Sequence, residues 1–316
     1  MSESGTGWSG TGRSDTGWSG GGGAGDAREG DGTSGTGEAD GTGGTGEADG
    51  TGGTGAPGGK TRFEDIYDRP DPRAYFRRLA PLEYEIPQQA RAAFRRAAAE
   101  RGGGTVLDLC CSYGINAALL NHDVTLAELY ARYTDPAVSE LTSAELAVRD
   151  KEFYASRRRE DAAPVIGLDV ADNALRYARA VGLLDDAYAE NLEEGAQPSP
   201  RLRAAMADVG LITLTGGGSY LTRRTFDALL GWAGRPLRVS AFVLRTVSYR
   251  PIADCLATHG LRTFCDPSRT YPQRLFTDAG EQRFAVEAVR ALGADPTGRE
   301  AAGRFHTVLY ESVPEE

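Results

Sequence analysis

The chain has 316 residues, with 45 acidic against 35 basic side chains and a net charge of −10. That balance excludes the basic footprint with which nucleic-acid binders neutralise phosphates. No apolar run reaches the about 18 residues that a bilayer-spanning helix needs, and no charged segment followed by an apolar stretch opens the chain as a signal peptide would. A soluble, cytoplasmic protein with neither a nucleic-acid nor a membrane partner is expected.

Residues 1–60 are mostly Gly, Thr, Ser, Asp and Glu, with nine acids against three bases. They contain almost nothing that could offset the entropy of ordering, so a disordered tail is predicted. Gly37–Thr45, GEADGTGGT, recurs as Gly46–Thr54, and Thr-Gly-Trp-Ser-Gly occurs at 6–10 and 16–20. The nine-residue period lacks the apolar position that a β-roll needs for its core, so it reads as low-complexity linker. Residues 61–316 are long enough for one substantial α/β domain.

Across 61–100, Phe63, Ile66 and Tyr67, then Tyr75, Phe76 and Leu79 after Pro70 and Pro72, recur at helical spacing and predict a helical cap. Pro87 opens an Ala/Arg helix over 88–100 that stops at Gly102-Gly103-Gly104. A strand over Thr105–Leu109 and a helix over 115–121 follow. Residues 122–163 exceed what a simple βαβ crossover requires. Leu126, Leu129, Tyr130 and Tyr133, then Leu141, Leu146, Phe153 and Tyr154, predict an inserted helical lid over the crevice beside the sheet. The second strand is Pro164–Leu168, followed by a helix over 172–182 with Asp172 as N-cap. Strands at 186–190, 209–215, 237–247, 261–265 and 304–312 then alternate with helices near 198–206, 222–232, 251–259 and 279–292. The pattern predicts a doubly wound, mostly parallel, seven-stranded Rossmann-like sheet.

Chemistry concentrates at two strand ends. Thr105–Asn116 reads TVLDLCCSYGIN, an apolar run, an acid, small residues and a helix start. Val165-Ile166-Gly167-Leu168-Asp169-Val170 is a second buried strand ending in a carboxylate. Ligands of open α/β sheets sit at such carboxyl ends. A carboxylate there can accept hydrogen bonds from both vicinal hydroxyls of a ribose, which singles out Asp169. Val170 and Asn173 lie in the following loop, and Glu190, Asn191 and Leu192 offer groups for a base edge. Asp108, Cys110, Cys111, Ser112, Gly114 and Asn116 surround the first turn. There is no G-x-x-x-x-G-K-[ST] string, and the turn has one glycine where a pyrophosphate-binding G-x-G-x-x-G has three. The site therefore suits a nucleoside cofactor with no phosphate at this turn. Cys110, Cys111, Cys255 and Cys265 include no CxxC pair, so no metal centre is expected.

In these residues the chain resembles the class I S-adenosylmethionine-dependent methyltransferases. Asp108 and Gly114 match their first motif, with Cys110 and Ser112 standing where that motif has glycines. Asp169, followed by Ala174, Leu175 and Ala178, matches their second. The resemblance covers roughly 100–312 and implies S-adenosylmethionine as cofactor, with the final strand antiparallel at the sheet edge. It places Thr215 and Gly216, at the end of strand four, beside the transferred methyl group. Tyr220 follows them as a candidate to orient the acceptor. Tyr75, Tyr84 and His122 are candidate acceptor contacts, and His306 is the candidate general base. The Asn-Pro-Pro-Tyr motif of enzymes that methylate bases or glutamine is absent after strand four. Methyl transfer to a small-molecule or peptide-like metabolite is the expected function, with a homodimer as the candidate assembly. A cofactor-binding but non-methylating enzyme or partner subunit is the alternative; an NAD-dependent oxidoreductase is disfavoured by the missing glycines.

Overall fold

A computed structural model describes Thr61, residues 63–195 and residues 197–315. The expectation of disorder and the repeats over 1–60 lie outside the described residues. The chain opens with helices α1 (Glu64–Tyr67), α2 (Arg73–Leu79) and α3 (Ile86–Glu100). Strand β1 (Thr105–Leu109) leads to α4 (Ile115–Asn121), and α5 (Leu126–Thr134), α6 (Pro136–Ser139) and α7 (Ser143–Ala155) form the insertion. Then come β2 (Val165–Asp169), α8 (Asp172–Ala180), β3 (Asp186–Ala189), α9 (Pro200–Met206), β4 (Val209–Thr215), α10 (Arg223–Leu230), β5 (Arg238–Leu244) and α11 (Arg250–Thr258). Strands β6 (Leu261–Cys265) and β7 (Tyr271–Leu275), α12 (Ala279–Ala291) and β8 (Arg304–Pro314) complete the domain. Among the described residues no helix is long and apolar enough to cross a membrane.

The sheet has strand order β3-β2-β1-β4-β5-β8-β6, with β7 paired to β8. Strands β1 to β5 are parallel to one another, and β8 is antiparallel to β5. Strand β4, VGLITLT, is buried at every position, as a central parallel strand must be when helices cover both faces. Alternating side chains divide the core. Val106, Leu211 and Phe242 point toward α3, α4 and α8, while Leu107, Ile212 and Leu214 point toward α9, α10 and α11.

Three expectations need correction. The sheet has eight strands rather than seven, because Tyr-Pro-Gln-Arg-Leu at 271–275 forms β7; Pro272 and the adjacent polar pair hide it from an alternation search. The last strand is antiparallel but is not at the edge: it lies between β5 and β6. Asp172 does not cap α8. Ala171 occupies the cap position, and Asp172 instead pairs with Arg176 one turn on, at 2.8 Å.

The insertion is well determined by its sequence. Thr125 with Glu128 and Thr142 with Glu145 form complete capping boxes at the starts of α5 and α7. Its aromatics pack inward. Tyr133 stacks on Phe76 of α2 at 4.7 Å between ring centroids, and Asp150, fully buried, accepts hydrogen bonds from Arg132 and from the hydroxyls of Tyr133 and Tyr177. The insertion thus braces the cap from behind.

Candidate functional site

A cavity of about 580 Å³ opens at the carboxyl ends of β1, β2 and β4. That is within the range of small-molecule sites, roughly 300–1,000 Å³. Its floor is the turn after β1. Cys110 (φ 52°), Ser112 (φ 46°) and Gly114 (φ 74°) all adopt left-handed backbone, at the alternate positions where the resembled motif has glycine. Left-handed geometry costs a residue with a Cβ roughly 1–2 kcal/mol, so the turn keeps its conformation against the preference of two of its three residues. The neighbours accommodate their side chains. A Cβ on Gly217 would lie 2.5 Å from both Cβ and Sγ of Cys110, and a Cβ on Gly167 would lie 2.6 Å from Sγ of Cys111.

Asp169 closes the turn. Its Oδ2 accepts from the Ser112 amide at 2.8 Å and its Oδ1 from the Ala171 amide at 3.0 Å. Burial raises its pKa, against the pull of these amides. Asp108 lies behind the wall and is fully buried. Its Oδ1 accepts from Asn116 Nδ2 at 3.0 Å and from Thr213 Oγ1 at 2.8 Å, while Oδ2 has no partner. Burial pushes its pKa up to about 7. Asn116 also bonds Thr215 Oγ1 at 3.0 Å, and both of these residues line the cavity. Asp108 therefore acts on the cavity through Asn116.

Of the predicted cofactor residues, Cys110, Cys111, Ser112, Asn116, Asp169, Val170, Glu190, Asn191, Leu192, Thr215 and Gly216 line the cavity. Asp108, Gly114 and Asn173 do not. Gly114 starts α4 from behind the turn, and Asn173 ties α8 to the cap by donating its amide to Asp68 Oδ1 at 2.7 Å. Of the predicted acceptor contacts, Tyr75, Tyr84 and Tyr220 line the cavity. His122 does not: it is 1% exposed, stacks edge-on against Tyr154 and bonds the Ala118 carbonyl. His306 is also elsewhere. It sits in β8, bonds Thr270 Oγ1 at 3.2 Å, and is pushed down to about 4 by burial and by Arg245, Arg299 and Arg304. Neither histidine reaches the cavity.

Residues 122–163 contribute no lining side chain, so the insertion is not the cover that its position in the chain suggested. Phe63, Tyr67, Tyr75 and Tyr84 of the cap supply the wall instead. Phe63, Tyr67 and Asp68 of this segment were missed, although the helical spacing of the first two was visible in the sequence. Gln273 and Arg274 of β7 were missed with their strand. Arg274 is held by a bidentate, buried ion pair with Glu281, at 2.6 and 2.8 Å, and Glu281 also accepts from the Thr61 amide at 2.8 Å. Away from the cavity, Asp227, Cys255 and His259 bring ligand-type atoms within 4.8 Å of one another; the Cys-x-x-x-His spacing on one helix was the overlooked signal. In that group His259 Nε2 pairs with Asp227 Oδ1 at 3.0 Å.

No protein-family model and no curated protein matches the chain. Among solved structures it is similar to magnesium protoporphyrin IX methyltransferase from Synechocystis with bound SAM, at 14% identity over 79% of this chain and 90% of that one, with a TM-score of 0.38. It is also similar to a precorrin-6y C5,15-methyltransferase from Geobacter metallireducens, at 8% identity over 72% and 88%, with a TM-score of 0.37. A SAM-dependent methyltransferase from Thiobacillus denitrificans in complex with S-adenosyl-L-homocysteine matches at 13% identity over 72% and 91%, with a TM-score of 0.32. A [4+2]-cyclase, SpnF, is among the matches too. These likenesses are distant and the chemistry of the matched proteins varies. The strand order itself, with an antiparallel strand inserted beside a parallel sheet, describes a Rossmann-like fold.

Proposed function

We propose that this protein binds S-adenosylmethionine and transfers its methyl group to a small molecule. The observation that carries the reading is Asp169 at the end of β2, joined to the Ser112 amide of a turn with left-handed backbone that lines the cavity. The cavity fits that cofactor in kind. Asp169 offers ribose hydroxyls two charged acceptors, and Ser112 Oγ is buried without a partner at the same turn. When bound, the cofactor supplies a sulfonium-activated methyl group.

The chain's residues would act by position. Asp169 holds the sugar, and Leu192 and Val170 flank the base. Asn116 and Thr215, fixed by Asp108 and Thr213, form the wall past strand one. Tyr67, Tyr75 and Phe63 of the cap exclude water from the side facing Gly216 and Gly217. Orientation of this kind is worth up to about 7–11 kcal/mol of barrier.

Isothermal titration with S-adenosylmethionine is expected to show saturable binding that Asp169→Ala weakens at least tenfold. A folded wild-type sample with no detectable binding would sink the reading. A second reading, cofactor binding without transfer, is favoured by one observation: among the described residues, no histidine or lysine lines the cavity. Formation of S-adenosylhomocysteine on incubation with candidate metabolites separates the two.

A further inference from the structure

The wall contributed by β7 holds an unsatisfied group. Gln273 is 1% exposed and lines the cavity, yet its side-chain Oε1 has no hydrogen-bond partner. A buried amide oxygen left without a partner is unfavourable, so a ligand that supplies a donor is favoured there. The backbone shows why it points inward. The β7–β8 pairing slips between Pro272, opposite His306, and Arg274, opposite Phe305, which leaves Gln273 as the extra residue of a bulge. Bulges re-aim side chains in this way. Its main-chain carbonyl is already engaged, accepting from the Glu85 amide at 2.8 Å.

Tyr84 reaches the same place from the cap. Its hydroxyl lies 2.7 Å, and Gln273 Nε2 3.8 Å, from the position a Cβ on Gly216 would take. Gly216 has φ +68° and ends the strand-four turn, so the absent side chain leaves a cradle between the two. Burial raises the pKa of the Tyr84 phenol, which keeps it protonated and able to donate. Around this pair the wall is aromatic. Tyr75 meets Tyr67 edge-on at 5.8 Å and Tyr84 at 6.2 Å, and Phe63 lies beneath Arg274.

We infer that the second ligand of this cavity is a ring-bearing compound whose neutral hydroxyl group donates to Gln273 Oε1 and accepts from the Tyr84 hydroxyl. The pairing discriminates between classes. A carboxylate accepts from Tyr84 but leaves the Gln273 oxygen without a donor; an ammonium donates to both oxygens but leaves the Tyr84 proton without an acceptor. A hydroxyl satisfies both through one atom, and its ring stacks on the tyrosine wall. This inference rests on the cofactor reading for the identity of the ligand's neighbour, but not for the pairing itself.

The test uses the full chain saturated with S-adenosylhomocysteine and four probes: phenol, toluene, benzoate and benzylammonium. Phenol is expected to bind about tenfold more tightly than toluene and than either ion. Gln273→Met and Tyr84→Phe are each expected to reduce phenol affinity about tenfold, leaving toluene and S-adenosylhomocysteine affinities unchanged. Equal affinity for phenol and toluene, or preference for either ion, overturns the inference. If S-adenosylhomocysteine itself fails to bind, the cofactor reading fails; the same titration without it still tests the hydroxyl pairing.

Discussion

Cys110 and Gly217 are spatial complements: a Cβ on Gly217 would overlap the Cys110 side chain at 2.5 Å from its Cβ and Sγ. The first turn carries a side chain at a left-handed position where the resembled motif has glycine, and the loop after β4 leaves room for it by having none at Gly217. Gly217→Ala is therefore expected to destabilise the protein by about 1–3 kcal/mol through overpacking. Cys110→Gly is expected to relieve most of that loss in the double variant. A urea-unfolding double-mutant cycle checks it: a coupling smaller than about 0.5 kcal/mol means the two positions are independent.

Asp108 links the core to pH. Its pKa is raised from 3.8 to about 7 by burial, so the folded state holds a proton that the unfolded state releases. Stability tied to this group is present below about 4 and is lost as pH rises toward 7, with slope set by the proton difference. Asp108→Asn keeps the acceptor for Asn116 and Thr213 and removes the titration. The variant is expected to gain stability over wild type at pH 8, by a kcal/mol or more, and to match it near pH 4. Denaturation curves at the two pH values decide it.

His306 lies in β8 and is held neutral, pushed down to about 4, away from the cavity. His306→Gln is expected to leave cofactor affinity and turnover within about twofold of wild type. A hundredfold fall in turnover with intact binding would instead make it a general base, acting at a loss of about 2.7 kcal/mol.

Phe76 is fully buried and stacked on Tyr133, one of several contacts that join the cap to the insertion. Phe76→Ala is expected to cost about 3–5 kcal/mol of stability. The cap walls the cavity, so cofactor affinity is expected to fall as well. Calorimetry with and without ligand reads both effects.

The parts of the site that follow from local pattern were legible. Val106 and Leu107 alternate between two buried faces, and Asp108 and Asp169 mark strand ends because an acid halts an apolar run. Cys111, Ser112 and Asp169 were found in this way and do meet. What depends on pairing between distant segments was not legible. Gln273 enters through a bulge whose existence depends on the register of β8, some thirty residues on. The insertion's aromatics are spaced like a lid, yet Asp150 and Phe76 draw them into a brace, and nothing in 122–163 records which side of the cap they will take. The two histidines were chosen for their chemistry alone, and burial places both elsewhere.

Strand β8 carries two tenants along one edge, β7 on its first half and β6 on its second. The parallel strands β1 and β2, which end at Leu109 and Asp169, take no part in that arrangement. The protein is thus assembled from two separately editable halves. Substitutions in the β6–β7 segment reshape the wall bearing Gln273 while the β1–β2 ends stay fixed.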